Sequence, residues 1–216
     1  MLRRRRADPR DPESGARLLE YAVEPAEVAR ALSANVAVST GLLPPDVLWV
    51  TVNGARRTVA GYRPPQVTGI WLEGSETPLR VPLPGLILIH QENKSHLYAI
   101  RGNPRNPATV LHVAPLPNVS GRVCWGTVPI PALKGNDLTL VWEHLLGSRF
   151  ANHASTGKSR THPDDIRKLL LGLEGRRRYP LDDLVPHKKR PSSQRDDDKP
   201  SYLTVGDVVG EEREDG

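Results

Sequence analysis

Cys124 is the only cysteine of the chain, and it closes a turn-rich stretch, Ala114-Pro115-Leu116-Pro117-Asn118-Val119-Ser120-Gly121-Arg122-Val123-Cys124-Trp125-Gly126. One cysteine excludes an intramolecular disulfide and a multi-cysteine zinc site. What remains is the chemistry of a single thiol, whose thiolate is the nucleophile. The competing reading is structural, since a free cysteine often behaves as a small buried hydrophobe. Composition alone favours that second reading. The position at the end of a Pro/Asn/Gly loop favours the first.

Other residues that could do chemistry are less well placed. His144, His153 and His162 lack the i, i+4 spacing of a helical metal site and have no second cysteine nearby. Gly157-Lys158-Ser159 has the ending of a phosphate-binding loop. The position five residues before Gly157, where a glycine is required, holds Asn152, and a helix rather than a strand is expected ahead of it. Neither a metal nor a nucleotide cofactor is expected. Asp137 and Glu143 fit a helix cap and a solvated helix face, and Trp49, Trp71 and Trp142 fit a core.

The elements that would position the cysteine are short strands. Within 216 residues, 18 Gly and 21 Pro call for many turns and speak against a helical bundle. Residues 1–13 are rich in Arg, Asp and Pro and are expected to be disordered; Glu13 to Leu32 suggests two short helical pieces broken at Pro25. Strands are expected at 35–40, 47–52, 57–60, 86–90, 96–100 and 110–113, with Asn53-Gly54 as a hairpin turn. Leu86 to His90 is continuously apolar and reads as a central strand. Together they describe an antiparallel meander.

After Asp137 the period changes. Leu138, Val141, Trp142, Leu145, Leu146 and Phe150 recur at three- and four-residue spacing, which predicts an amphipathic helix across the sheet. A second helix is expected at Pro163 to Leu173, ended by Gly175. Residues 176–216 read as a charged, mostly disordered tail, within which Tyr202 to Val205 and Val208-Val209 could form a short docking segment. The fold class is therefore α+β, and the folded domain is expected over residues 14–175.

Charge is unevenly spread: residues 33–160 carry twelve Lys/Arg against six Asp/Glu. Such a surface suits an acidic partner or nucleic acid, or is simply well solvated. Arg3 to Arg6 are followed by Ala7-Asp8-Pro9 rather than an apolar segment, and the run Leu83 to Ile89 is too short to span a bilayer. A soluble, cytoplasmic protein without a membrane partner is expected.

The order of sheet, Pro-Asn turn, Gly-x-x-Cys and crossing helix resembles the ubiquitin-conjugating enzymes. Leu116-Pro117-Asn118 stands for their His-Pro-Asn element, and Gly121-Arg122-Val123-Cys124-Trp125 for their Gly-x-Ile-Cys-Leu. More closely, Ala114 to Gly126, with Trp142, Phe150, His153 and Gly157 to Arg160, resembles protein B of the PRTRC systems. Those are bacterial, often plasmid-borne cassettes that also contain a ParB-like protein and a ThiF-like activating enzyme. The resemblance covers roughly residues 35–175 and is sharpest over 110–160. Leu116 stands where the family has His, and Asn118 lies six residues before Cys124, about two nearer than in the conjugating enzymes.

The resemblance implies a ubiquitin-conjugating-like acyltransferase. Cys124 would accept the C terminus of a ubiquitin-like protein as a thioester from the ThiF-like enzyme and pass it to an amine. Asn118 would supply an amide donor to the oxyanion formed in that attack, and His153 would act as general base for the amine. The alternative is a non-catalytic scaffold or nucleic-acid-binding component of a plasmid-maintenance complex, with a ParB-like protein or DNA as partner.

Overall fold

The computed structural model describes residues 2–6, 17–21, 24, 40–53, 56–189 and 201–210. It comprises two units, Met1–Gly41 and Leu42–Gly216. In the first, β1 (Leu2–Arg6) pairs antiparallel with β2 (Arg17–Tyr21), Leu2 opposite Tyr21. Residues 2–6 are thus paired rather than unordered and residues 17–21 are strand rather than helix, while the rest of residues 1–13 and of the helical pieces expected over Glu13 to Leu32, apart from Glu24, lies outside the described residues. The strand expected at 35–40 lies, but for Thr40, outside the described residues.

In the second unit the strands are β3 (Val47–Asn53), β4 (Arg56–Arg63), β5 (Gln66–Leu72), β6 (Leu79–Leu83), β7 (Gly85–Gln91) and β8 (Lys94–Ile100). The short strands β9 (Leu111–Val113), β10 (Val119–Ser120), β11 (Arg122–Val123) and β12 (Arg149–Phe150) follow. A seven-stranded sheet runs β10-β11-β8-β7-β4-β3, with β9 also paired to β8. Every pairing in it is antiparallel. Asn53 pairs with Arg56 and so belongs to the β3–β4 ladder, rather than being the first turn residue expected of the Asn-Gly pair.

The meander is interrupted once. Between β4 and β7 the chain leaves to form β5 and β6, which make a separate sheet in the order β12-β5-β6. Pro82 lies within β6, an edge strand of that sheet, which is where a sheet tolerates proline. The pairing of β12 with β5 is parallel.

β7 is central, flanked by β8 and β4, and its apolar run serves two cores because successive side chains face opposite sides. Leu86 and Leu88 join Leu97 and Ala99 of β8 in the larger core; Ile87 joins Tyr98 and Ile100 in the smaller one. The larger core includes the buried residues of helix α1 (Thr139–Gly147), namely Val141, Trp142, Leu145 and Leu146. It also includes Ile166, Leu169 and Leu170 of helix α2 (Ile166–Gly172). Helix α1 packs against β5 and helix α2 against β6. Asp137 accepts a hydrogen bond from the Thr139 amide at 2.8 Å and so steadies the start of α1. Helix α2 begins three residues later than expected, with Asp165 accepting from the Arg167 amide at 3.0 Å, so Pro163 lies in the preceding loop. Trp142 is buried, but Trp49 and Trp71 are only half-buried; Arg149 stacks over Trp71 at 5.3 Å.

The smaller core is completed from the far end of the chain. Leu203 and Val205 are 4% and 3% exposed and pack with Ile87, Tyr98, Ile100 and Leu111. The backbone is stitched in as well: the Leu111 amide donates to Leu203 O at 2.8 Å, and the Val205 amide to Thr109 O at 2.9 Å. Helix α3 (Val205–Gly210) follows. Leu203→Ala should therefore cost about 2–4 kcal/mol of unfolding free energy, as for other buried leucines, measured by urea titration.

Candidate active site

The loop from Ala114 to Asn118 is apolar and poor in hydrogen-bond donors. Pro115 and Pro117 have no N–H, and Leu116 is fully buried in the larger core. An apolar contact thus occupies the place where a hydrogen-bonding His was the family expectation. Asn118 then turns the chain with φ of 59°, a left-handed conformation that asparagine tolerates better than most residues. Gly121 makes a second turn with φ of 82° between Ser120 and Arg122, which pair across it. A Cβ at Gly121 would meet His187 Nε2 at 3.2 Å as well as straining the backbone. These two turns return the chain to Cys124.

Asn118 connects the three candidate residues through its main chain. Its amide donates to His153 O at 3.1 Å, and its carbonyl accepts from the Cys124 amide at 2.8 Å. The thiol of Cys124 is free and exposed, which removes the inert-core reading. His153 is exposed and Asn118 half-buried. All three line one cavity of about 300 Å³, whose wall also includes Trp125, Val128 and Phe150. His144 and His162 do not line it. The Asn118 Oδ1 is buried and has no hydrogen-bond partner among the described residues.

The residue that sequence reasoning missed is Lys158. It is only 2% exposed, and its Nζ donates to the carbonyls of Leu116 and Val119, one on either side of Asn118. Gly157-Lys158-Ser159 is therefore no phosphate cradle; its lysine faces inward to main-chain oxygens. The segment holding it is tied down on both sides. The Gly157 amide donates to Pro163 O at 2.7 Å and the Arg160 amide to Asp183 O at 3.1 Å. Asp183 is itself buried. Burial pushes its carboxyl up, but hydrogen bonds from Thr161 and Ser159 outweigh this and hold it below the ordinary range. Only the run Gly-Lys-Ser marked this place in the sequence, and nothing in it said which way the lysine would point.

Burial pushes the Lys158 ammonium down from 10.5 to about 7. Between those values the unfolded chain binds more protons at this site than the folded one, so its contribution to stability rises as pH climbs from about 7 towards 10.5. Lys158→Met should remove that increment. The check is the urea midpoint at pH 7 and pH 9, whose upward shift should be smaller in the variant.

Among the described residues no group of three or more His, Cys, Asp or Glu gathers as a metal site, and no helix is long and apolar enough to cross a membrane. No curated protein and no solved structure matches the chain. A family match does exist, to prokaryotic E2 family D over residues 26–187, a span that holds Asn118, Cys124, His153 and Lys158. The sheet-rich α+β architecture with few helices is compatible with that group, and the match extends over more than half of the sequence. The chain belongs to prokaryotic E2 family D.

Proposed function

We propose that the protein is a thioester carrier that receives the C terminus of a ubiquitin-like protein on Cys124 and transfers it to an amine. The observation that carries this reading is an exposed free thiol sharing one cavity with Asn118 and His153, in a chain of an E2-like family. In the loading step the Cys124 thiolate attacks the acyl carbonyl held as a thioester on a ThiF-like activating enzyme. A new C–S bond forms and the activating enzyme's thiolate departs. In the transfer step an amine attacks the Cys124 thioester, the carbonyl oxygen becomes an oxyanion, and the Cys124 thiolate leaves as the amide forms. The amine's surplus proton passes to His153. The Asn118 amide group donates to the oxyanion, a contact stronger in the transition state than before it. ATP is consumed by the activating enzyme, and this chain needs neither nucleotide nor metal. We place the protein in the cytoplasm and in a PRTRC-type, plasmid-borne cassette.

The test is intact-mass spectrometry of the protein co-expressed with its genomic neighbours, without reductant. The expected result is an adduct that a thiol removes and that is missing in Cys124→Ala; its mass identifies the modifier. No adduct, with the activating enzyme shown to be working, overturns the reading in favour of a scaffold.

A further inference from the structure

We infer that Lys158 is a positioning residue that fixes the Asn118 turn beside Cys124. Its role in transfer rests on the reading above; the positioning itself does not. Asn118 occupies a left-handed conformation, φ 59°, in a segment whose neighbours Pro115 and Pro117 donate no backbone hydrogen bonds. Main-chain carbonyls buried in such a segment need partners from elsewhere. One side chain supplies them: Lys158 Nζ reaches both Leu116 O and Val119 O, bracketing Asn118. Among the described residues no carboxylate pairs with Lys158, and the 2% exposed amine donates instead to these two carbonyls. The far end of the lever is rigid as well. The segment carrying Lys158 is bonded to Pro163 and Asp183, and the Ile166 amide donates to Ser155 O at 2.9 Å. With the Asn118 amide on His153 O and its carbonyl on the Cys124 amide, every main-chain polar group of Asn118 is engaged and both flanks are held. The direction of the Asn118 side chain therefore depends on Lys158, which does not line the Cys124 cavity.

Lys158→Met keeps an unbranched side chain, one atom shorter, and removes its donors. The probe is the thioester of acetylglycine with 2-mercaptoethanesulfonate. Cys124 takes the acetylglycyl group by thiol exchange, releasing mercaptoethanesulfonate, and free lysine then removes it as an amide, followed by intact mass. In Lys158→Met, alkylation of Cys124 by iodoacetamide should stay near the wild-type rate. Aminolysis should fall about 10²-fold, the scale expected when a catalytic group is misplaced by roughly 1 Å. The fall should not add to that of Asn118→Gly. Amide hydrogen exchange at Asn118 and Cys124 should quicken at least about tenfold, because the first amide ties the turn to His153 O and the second bonds across it to Asn118 O. Wild-type aminolysis and exchange in Lys158→Met would overturn the inference, as would a loss fully additive with Asn118→Gly. Where Lys158→Met does not fold, Lys158→Arg, which keeps the donors, takes its place: a near-wild-type rate supports the inference and a loss additive with Asn118→Gly overturns it. If wild-type aminolysis proves indifferent to Asn118→Gly, the proposed transfer role has failed, and hydrogen exchange alone decides whether Lys158 positions the turn.

Discussion

Cys124→Ser should hold the modifier as an oxygen ester that survives dithiothreitol, whereas Cys124→Ala should carry nothing. A serine hydroxyl at the same place can be acylated, but its alkoxide is a far poorer leaving group than a thiolate, so the next transfer stalls. Removing the nucleophile altogether leaves only background transfer, a loss on the order of 10⁶-fold where covalent catalysis has been dissected in this way. Neither change should disturb folding. Cys124 is exposed, and substitutions at such positions usually stay within about 0.5 kcal/mol of the parent. Intact mass with and without dithiothreitol, beside a urea titration, reads both effects. An adduct of the modifier's mass persisting in Cys124→Ala would place the attachment on another residue.

Asn118→Gly should slow transfer from the loaded thioester by about 10²–10³-fold, the usual cost of losing one oxyanion donor, while loading proceeds normally. Glycine is the informative replacement. It adopts the positive φ of Asn118 without strain, so the main-chain bonds to His153 and Cys124 can persist while the amide group is gone. Alanine would confuse the outcome by resisting that backbone conformation. Equal slowing of loading and transfer would point to a displaced thiol rather than a missing donor.

Both predictions concern residues readable from order and spacing, because Pro117, Asn118, Gly121 and Cys124 are local: the turn that joins them is encoded within eight residues. The central position of β7 was legible for a similar reason, since an unbroken run from Leu86 to Ile89 has no polar face to give to water. The strands β5 and β6 were not legible. Pro64, Pro65, Gly69 and Pro82 look like breakers, and only the sheet's order places Pro82 on an edge where it is harmless. Helix α2 was found but begun too early, because Pro163 fits a first turn as readily as it fits a loop. Lys158 escaped because its role is set by partners some forty residues earlier, and no local pattern encodes an inward-pointing amine. The gathering of Cys124, Asn118 and His153 around one cavity is likewise a tertiary fact, carried partly by the Asn118 bond to His153 O.

Leu203 and Val205 also govern the order in which this protein can mature during synthesis. Until those residues emerge, Ile87, Tyr98, Ile100 and Leu111 lack the neighbours that seal them, although the larger core can already have assembled. A nascent chain paused anywhere before Leu203 thus presents a wet apolar sheet face, the kind of surface on which partly made proteins associate. Trimming the polar-looking tail to obtain a tidier fragment would make that passing state permanent.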